Sequence, residues 1–249
     1  MMPTALPAVL PTVAREAWVY LSSSPLLWLT LTLITYQGAY ALYRRSGFNP
    51  LLNPVALAIV VIVATLKLTD TPYHLYFDGA QFVHFLLGPA VVALAIPLYA
   101  QLEHLKRDAL AIVVALLAGA VTAVVTAIGV AWTLGASEIT LRSLVPKSIT
   151  APIAMGISEK LGGAPSLTAV LVIATGIVGA ISAKTILNAL KISDHAVRGF
   201  SVGVAAHGIG TARAFQLSEQ AGAFAGLAMG LHGLIAAIGM PLLLLLWPR

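Results

Sequence analysis

Apolar residues run in long unbroken stretches along this chain, and polar positions gather in short clusters between them. Residues 26–43 read as a first membrane span closed by Arg44 and Arg45. Residues 54–68 are equally apolar but fall short of the roughly 20 residues a helix needs to cross a bilayer. Residues 80–99 carry Gly88-Pro89 inside the run, and residues 109–134 are long and uniform; the charged stretch Glu103, Lys106, Arg107, Asp108 between them reads as a turn in water. The pattern then becomes irregular. Residues 141–157 are interrupted by Arg142, Pro146, Lys147, Ser148, Thr150 and Pro152, and residues 199–215 are glycine-rich and end in His207, Gly208, Gly210, Thr211 and Arg213. Between and after them lie two continuous runs, 167–187 and 221–247. None of these runs alternates with period two, which excludes a β-barrel. The expected fold class is therefore all-α, a polytopic membrane helix bundle of about eight membrane elements, several of them broken by Pro or Gly. Residues 1–25 read as a lead-in and 26–249 as a single transmembrane domain.

Inverted repeats are a common construction in transporters, and two internal pairings fit one. FVHFLLGPAVVALAIPL at 82–98 resembles FAGLAMGLHGLIAAIGMPL at 224–242, and the proline-opened stretch 50–60 resembles 146–156. The two pairings imply different repeat boundaries.

Composition supports the membrane reading. Of the 249 residues, 59% are hydrophobic and 9% charged, against about 25% charged in a soluble domain, and mean hydropathy is +0.94. Too few polar groups exist to cover a water-facing surface. The absence of cysteine removes disulfides, thiolate metal sites and thiol catalysis together. The net charge of +5 comes from scattered Lys and Arg and not from one basic face, so no nucleic-acid partner is expected; it suits an anionic bilayer surface and an anionic solute. The positive-inside rule is nearly tied between the two sides, and the paired clusters Arg44-Arg45 and Lys106-Arg107 favour an extracytoplasmic N terminus.

Backbone groups freed by Pro or Gly inside a bilayer persist only where they line a cavity or meet polar partners, so the interruptions mark candidate sites. Pro146-Lys147-Ser148-Ile149-Thr150-Ala151-Pro152 sets a cation and two hydroxyls at a proline-opened helix start, and the free N–H groups of such a start suit a carboxylate. The competing reading has Lys147 snorkelling at a span end. In the second interruption His207 and Thr211 fall one helical turn apart, and Arg213 would share their pocket only if Gly208 and Gly210 break the helix. An intramembrane Arg usually marks an anion or a paired acid, and a His can couple protons to transport; the competing reading pairs Arg213 with Glu219 at the interface. Asn49 and Asn53, beside Pro50 and Pro54, offer amides that donate and accept near the short second span, although Asn-Pro is also a common turn. The remaining candidates for proton relay, Asp78 and His84, lie near a span end where solvation is the usual role. No thiols and no helically spaced His pair with a carboxylate are present, so no metal is expected. The string GFSVG at 199–203 lies within an apolar helical run and not at a strand-to-helix elbow, and no P-loop occurs. The chain is expected to be neither an enzyme nor an ATP-driven pump, and to need no cofactor.

Four stretches then carry a recognisable pattern: FNPLLNPVALAIVVIV from Phe48, FDGAQFVHFLLGPAVVALAIPLY from Phe77, LVPKSITAPIAMGISEKLGG from Leu144 and RGFSVGVAAHGIGTARAF from Arg198. Together they resemble the LrgB/CidB family over about residues 36–247. The resemblance implies a multi-span protein of the cell inner (plasma) membrane, described as an antiholin-like modulator of murein hydrolases that works with a smaller LrgA/CidA-type partner. It also implies likeness to the C-terminal part of the plastid glycolate/glycerate carrier and to bacterial members linked to pyruvate uptake. The expected function is a secondary transporter for a small monocarboxylate such as glycolate, glycerate, pyruvate or lactate, coupled to protons if His207 titrates. The alternative is an antiholin-like modulator acting by assembly. Expected partners are a small organic anion, the lipid bilayer, an LrgA/CidA-type protein and further copies of the chain.

Overall fold

The computed structural model describes residues 12–86, 89, 92–93 and 95–244, and every regular element among them is helical. The helices are α1 (Thr12–Ser22), α2 (Pro25–Arg45), α3 (Pro54–Leu68), α4 (Tyr73–Phe85), α5 (Ala95–Tyr99), α6 (Leu102–Arg107), α7 (Ala109–Thr133), α8 (Glu138–Leu144), α9 (Ala151–Lys160), α10 (Pro165–Ala189), α11 (His195–Phe215) and α12 (Glu219–Leu244), with a 3₁₀ turn at Pro50–Leu52. The lead-in is thus helical from Thr12. Within the stretch read from sequence as one domain, chain contacts gather into two compact units, Met1–Val92 and Ala93–Arg249.

Against about eight expected membrane elements, three described helices are long and apolar enough to cross a bilayer: Ala109–Thr133, Pro165–Ala189 and Glu219–Met240. The shortfall has physical causes. α3 is apolar but only 15 residues long, about 22 Å at 1.5 Å per residue, against a hydrocarbon core of about 30 Å. The interrupted stretches became short helices joined by turns. The pairing of 82–98 with 224–242 lies partly outside the described residues.

In the first unit α2 packs on α3 and α4. Its anchor is Trp28, fully buried, whose Nε1 donates to the Ser22 carbonyl at 2.8 Å and whose ring meets Trp18 and Tyr76 edge-on with centroids 6.0 Å apart. α4 approaches so closely at Gly79 that a Cβ there would lie 2.1 Å from the Pro25 carbonyl oxygen.

In the second unit the long spans carry the short broken elements. α7 buries only Leu116, which joins Phe200, Val204, Phe224 and Ala228 in one apolar cluster. Outside the spans, α6 ends in Arg107, which forms an ion pair with Asp108 at 3.1 Å and holds that carboxyl below the usual carboxylate range through hydrogen bond and charge.

Candidate functional site

Two segments of the second unit reverse direction inside the helical bundle. The first runs from α8 into α9. Thr168 Oγ1 of α10 lies 2.7 Å from Ser158 Oγ and 3.1 Å from the Ser143 carbonyl, and Ser143 Oγ accepts from the Ala164 amide at 2.9 Å. Ser143 and Ser158, at the far ends of this excursion, therefore meet the same hydroxyl. The chain leaves through the turn at 145–150, held by Lys147 N–H to the Leu144 carbonyl and Ile149 N–H to the Pro146 carbonyl, and returns along α9. Lys147 sits at the tip of this hairpin.

The second reversal lies within α11. Asp194 caps its start by accepting from the Val197 amide at 2.9 Å. At His207 the backbone takes φ 40° and ψ −132°, outside the regions an L-residue adopts without cost. Beyond the break the chain folds back: a Cβ on Gly210 would lie 2.7 Å from Ala206 Cβ and 2.9 Å from the Val202 carbonyl oxygen, whereas residues eight apart on a straight helix are about 12 Å apart along the axis. Only a residue without a side chain fits there.

Packing on α12 shows the same reversal. Before the break, Gly199 lies against Ala221 and Gly203 against Ala225, where added Cβ atoms would come 2.0 and 2.2 Å from their carbonyl oxygens. These pairs advance together, so the two segments run parallel. After the break, Phe215 covers Gly222, Ala214 clusters with Ala221 and Ala225, and Thr211 Oγ1 lies 3.9 Å from Met229 Sδ. These pairs advance in opposite senses. Small residues let the backbones approach this closely, as expected between membrane helices.

The two reversals meet through Val172 of α10. Ile149 and Ala154 from the first hairpin pack with Val172 and Ala236, and His207 Nε2 lies 2.9 Å from the Val172 carbonyl oxygen. A carbonyl only accepts, so Nε2 carries the proton and Nδ1 of the neutral ring is an acceptor. The ring lies over Gly176, where a Cβ would come 2.7 Å from Cε1. Lys147 is half-buried and its Nζ donates to the buried Ser148 Oγ at 3.0 Å. Among the described residues no carboxylate lies within ion-pair distance of it.

Of the residues expected from sequence, Lys147, Ser148 and Thr150 share the first tip, with Thr150 as N-cap of α9, its hydroxyl making no cap bond. His207 and Thr211 share the break, Thr211 Oγ1 donating to the His207 carbonyl at 2.8 Å. Gly210 makes the close approach described above, while Gly208 is exposed. Arg213 is half-exposed and donates to Gln216 Oε1 at 2.7 Å. Asn49 and Asn53 belong to the other unit and are occupied as caps: Asn49 accepts from the Leu51 amide, and Asn53 from the Val55 and Ala56 amides at 2.9 and 3.1 Å. Sequence reasoning missed His232, which is buried with Nδ1 3.0 Å from the Val204 carbonyl oxygen. Its signal is an ionisable residue in the middle of a span.

The model of the LrgB-like family matches residues 32–246. The chain belongs to that family. Relatives include the protein YwbG of Bacillus subtilis, 35% identical over 87% of this chain and 96% of the relative. Holin-like protein CidB of Staphylococcus epidermidis is 32% identical and CidB of Staphylococcus aureus 31% identical, each over 89% of this chain and 96% of the relative. No solved structure matches. The three long apolar helices and these LrgB-like relatives make it a membrane protein.

Proposed function

We propose that this LrgB-like protein is a holin-like membrane protein of the CidB type, a multi-pass protein of the cell inner membrane. It modulates murein hydrolase export or activity by assembling with a smaller CidA-type partner. The observation that carries this reading is similarity to holin-like CidB proteins over 96% of their length. The surface of α7 is compatible with assembly, since a 25-residue apolar helix buries only Leu116 and leaves the remainder for lipid or a partner span. Co-expression with a CidA-type protein, detergent extraction and affinity capture tests it. Recovery of a stable hetero-complex, together with altered murein hydrolase activity in the expressing cells, supports the reading; separate elution and unchanged hydrolase activity overturn it.

One observation favours a second reading, carriage of a small monocarboxylate such as glycolate, glycerate, pyruvate or lactate. Assembly alone requires helix contacts but no cation among broken helix ends. Here Lys147 stands without a described acid partner, its Nζ donating to the buried Ser148 Oγ at the tip of the first hairpin. An ammonium with a few donors matches a carboxylate, and charge-assisted hydrogen bonds of about 1.5–3 kcal/mol each hold a solute weakly enough to release it. Rocking of broken helices against long spans is the corresponding movement. In proteoliposomes this reading expects saturable uptake of labelled pyruvate or glycolate that falls at least tenfold in Lys147→Ala and falls in Arg213→Ala. Leak of neutral solutes of the same size, insensitive to both substitutions, overturns it.

A further inference from the structure

α2 runs for 21 residues, about 31 Å at 1.5 Å per residue, which is the thickness of a bilayer's hydrocarbon core. What separates it from the three long apolar helices is polarity, not length, and that polarity has a side. Trp28, Ala39 and Tyr43 are buried where α2 packs on α3 and α4. On the opposite side Thr30, Ile34, Gln37 and Ala41 recur in steps of four, three and four. The first three are exposed and Ala41 is half-buried. Alternating steps of three and four form the seam of a left-handed helix pair.

Gln37 decides what that seam requires. It stands eight residues before Arg45, about 12 Å along the axis, too deep for its short side chain to reach the headgroup layer where the arginines end the helix. Its amide has both donors and an acceptor, and among the described residues no group bonds it. Against lipid tails all of these go unmet, at a cost no apolar contact returns. Beside it the main chain is bare, since a Cβ added to Gly38 would meet nothing within 4 Å, so another helix can come close. The arrangement calls for a helix carrying an amide at the same depth. A second copy supplies one by symmetry: copies inserted in the same orientation bring each seam residue against itself, and an amide that both donates and accepts complements its own image. The paired Arg44 and Arg45 then share one headgroup layer, where anionic lipid offsets their repulsion.

We propose that this side of α2 is a self-association surface, two copies pairing through Thr30, Ile34, Gln37 and Ala41 with their Gln37 amides hydrogen-bonded across a two-fold axis. The surface does not depend on either reading of the protein's function.

The test uses the full chain, which has no native cysteine, reconstituted in liposomes at low protein density. Ile34→Cys and Ala41→Cys, each introduced alone, should give disulfide-linked dimers on oxidation with copper phenanthroline. Val60→Cys, on α3 and as exposed as Ile34, should stay monomeric. Energy transfer between copies labelled at Ser193→Cys measures pairing without an engineered link. Gln37→Leu changes an exposed side chain and leaves the packing of α2 on α3 and α4 intact; it should weaken pairing about threefold to tenfold, the worth of one interhelical hydrogen bond in a membrane, and Gln37→Asn should recover part of the loss. Absence of crosslinking at 34 and 41, equal crosslinking at 60, or pairing unchanged in Gln37→Leu overturns the proposal. So does a CidA-type protein that, when co-reconstituted, replaces the second copy at positions 34 and 41.

Discussion

At the scale of single residues, space decides more than polarity. Gly199 and Gly203 press on the carbonyl oxygens of Ala221 and Ala225, and backbone atoms on the partner helix cannot rotate away as a side chain would. Gly199→Ala is therefore expected to separate α11 from α12 and cost about 1–3 kcal/mol, the usual range for overpacking. A lowered midpoint in detergent thermal unfolding is the readout. Gly230→Ala supplies the control: nothing lies within 4 Å of the Cβ it would add, so it should be neutral or gain up to about 1 kcal/mol of helix propensity. If both variants unfold at the same temperature, the close approach at Gly199 is not what holds the helices together. His207 is the other strained position. Its φ of 40° disfavours any side chain, and the bond from Nε2 to Val172 offsets that cost. His207→Ala keeps the strain and loses the bond, so it should be less stable than His207→Gly, which loses the bond but relieves the strain. Ranking the two by thermal unfolding checks the assignment, and the reverse order contradicts it.

At the scale of elements, the proline-opened start of the stretch 50–60 was legible in the sequence. Pro25, Pro54 and Pro165 each open a helix, because proline's missing N–H costs nothing in a first turn. The capping role of Asn53 was hidden for the same reason that it attracted notice, since an amide beside a proline at a span entry fits a ligand site and a cap equally well. The structure commits its side-chain oxygen to the Val55 and Ala56 amides. Asn53→Ala should then lower stability by about 1 kcal/mol, the typical worth of a cap, and Asn53→Asp should recover most of it in the same unfolding assay. Loss of transport or assembly activity without loss of stability would return Asn53 to the functional residues. The glycines around His207 signalled that α11 would break, but spacing alone does not reveal that the chain doubles back, because this depends on Val202 and Ala206 receiving Gly210. His232 stayed invisible for a different reason: the surrounding run is so uniformly apolar that its periodicity singles out no face.

At the scale of the whole molecule, broken elements were legible as interruptions, while their number as crossings was not. Apolar length measures whether a helix can cross a bilayer, and among the described residues three helices meet that measure. Topology therefore turns on where the loops lie. Basic residues flank both ends of the helices in near balance, but their arrangement differs: Arg44-Arg45 and Lys106-Arg107 are adjacent pairs, whereas Lys191 and Arg198 stand singly. Charge close to a helix end sets orientation, and of these four the pairs place two charges within one turn. The adjacent pairs therefore favour Arg44-Arg45 on the cytoplasmic side. Because the chain has no cysteine, Ser46→Cys and Ser193→Cys each create a unique thiol. In intact cells a membrane-impermeant maleimide should label the thiol at 193 and spare that at 46 until the membrane is opened. Labelling of position 46 in sealed cells would invert the topology and place the N terminus inside.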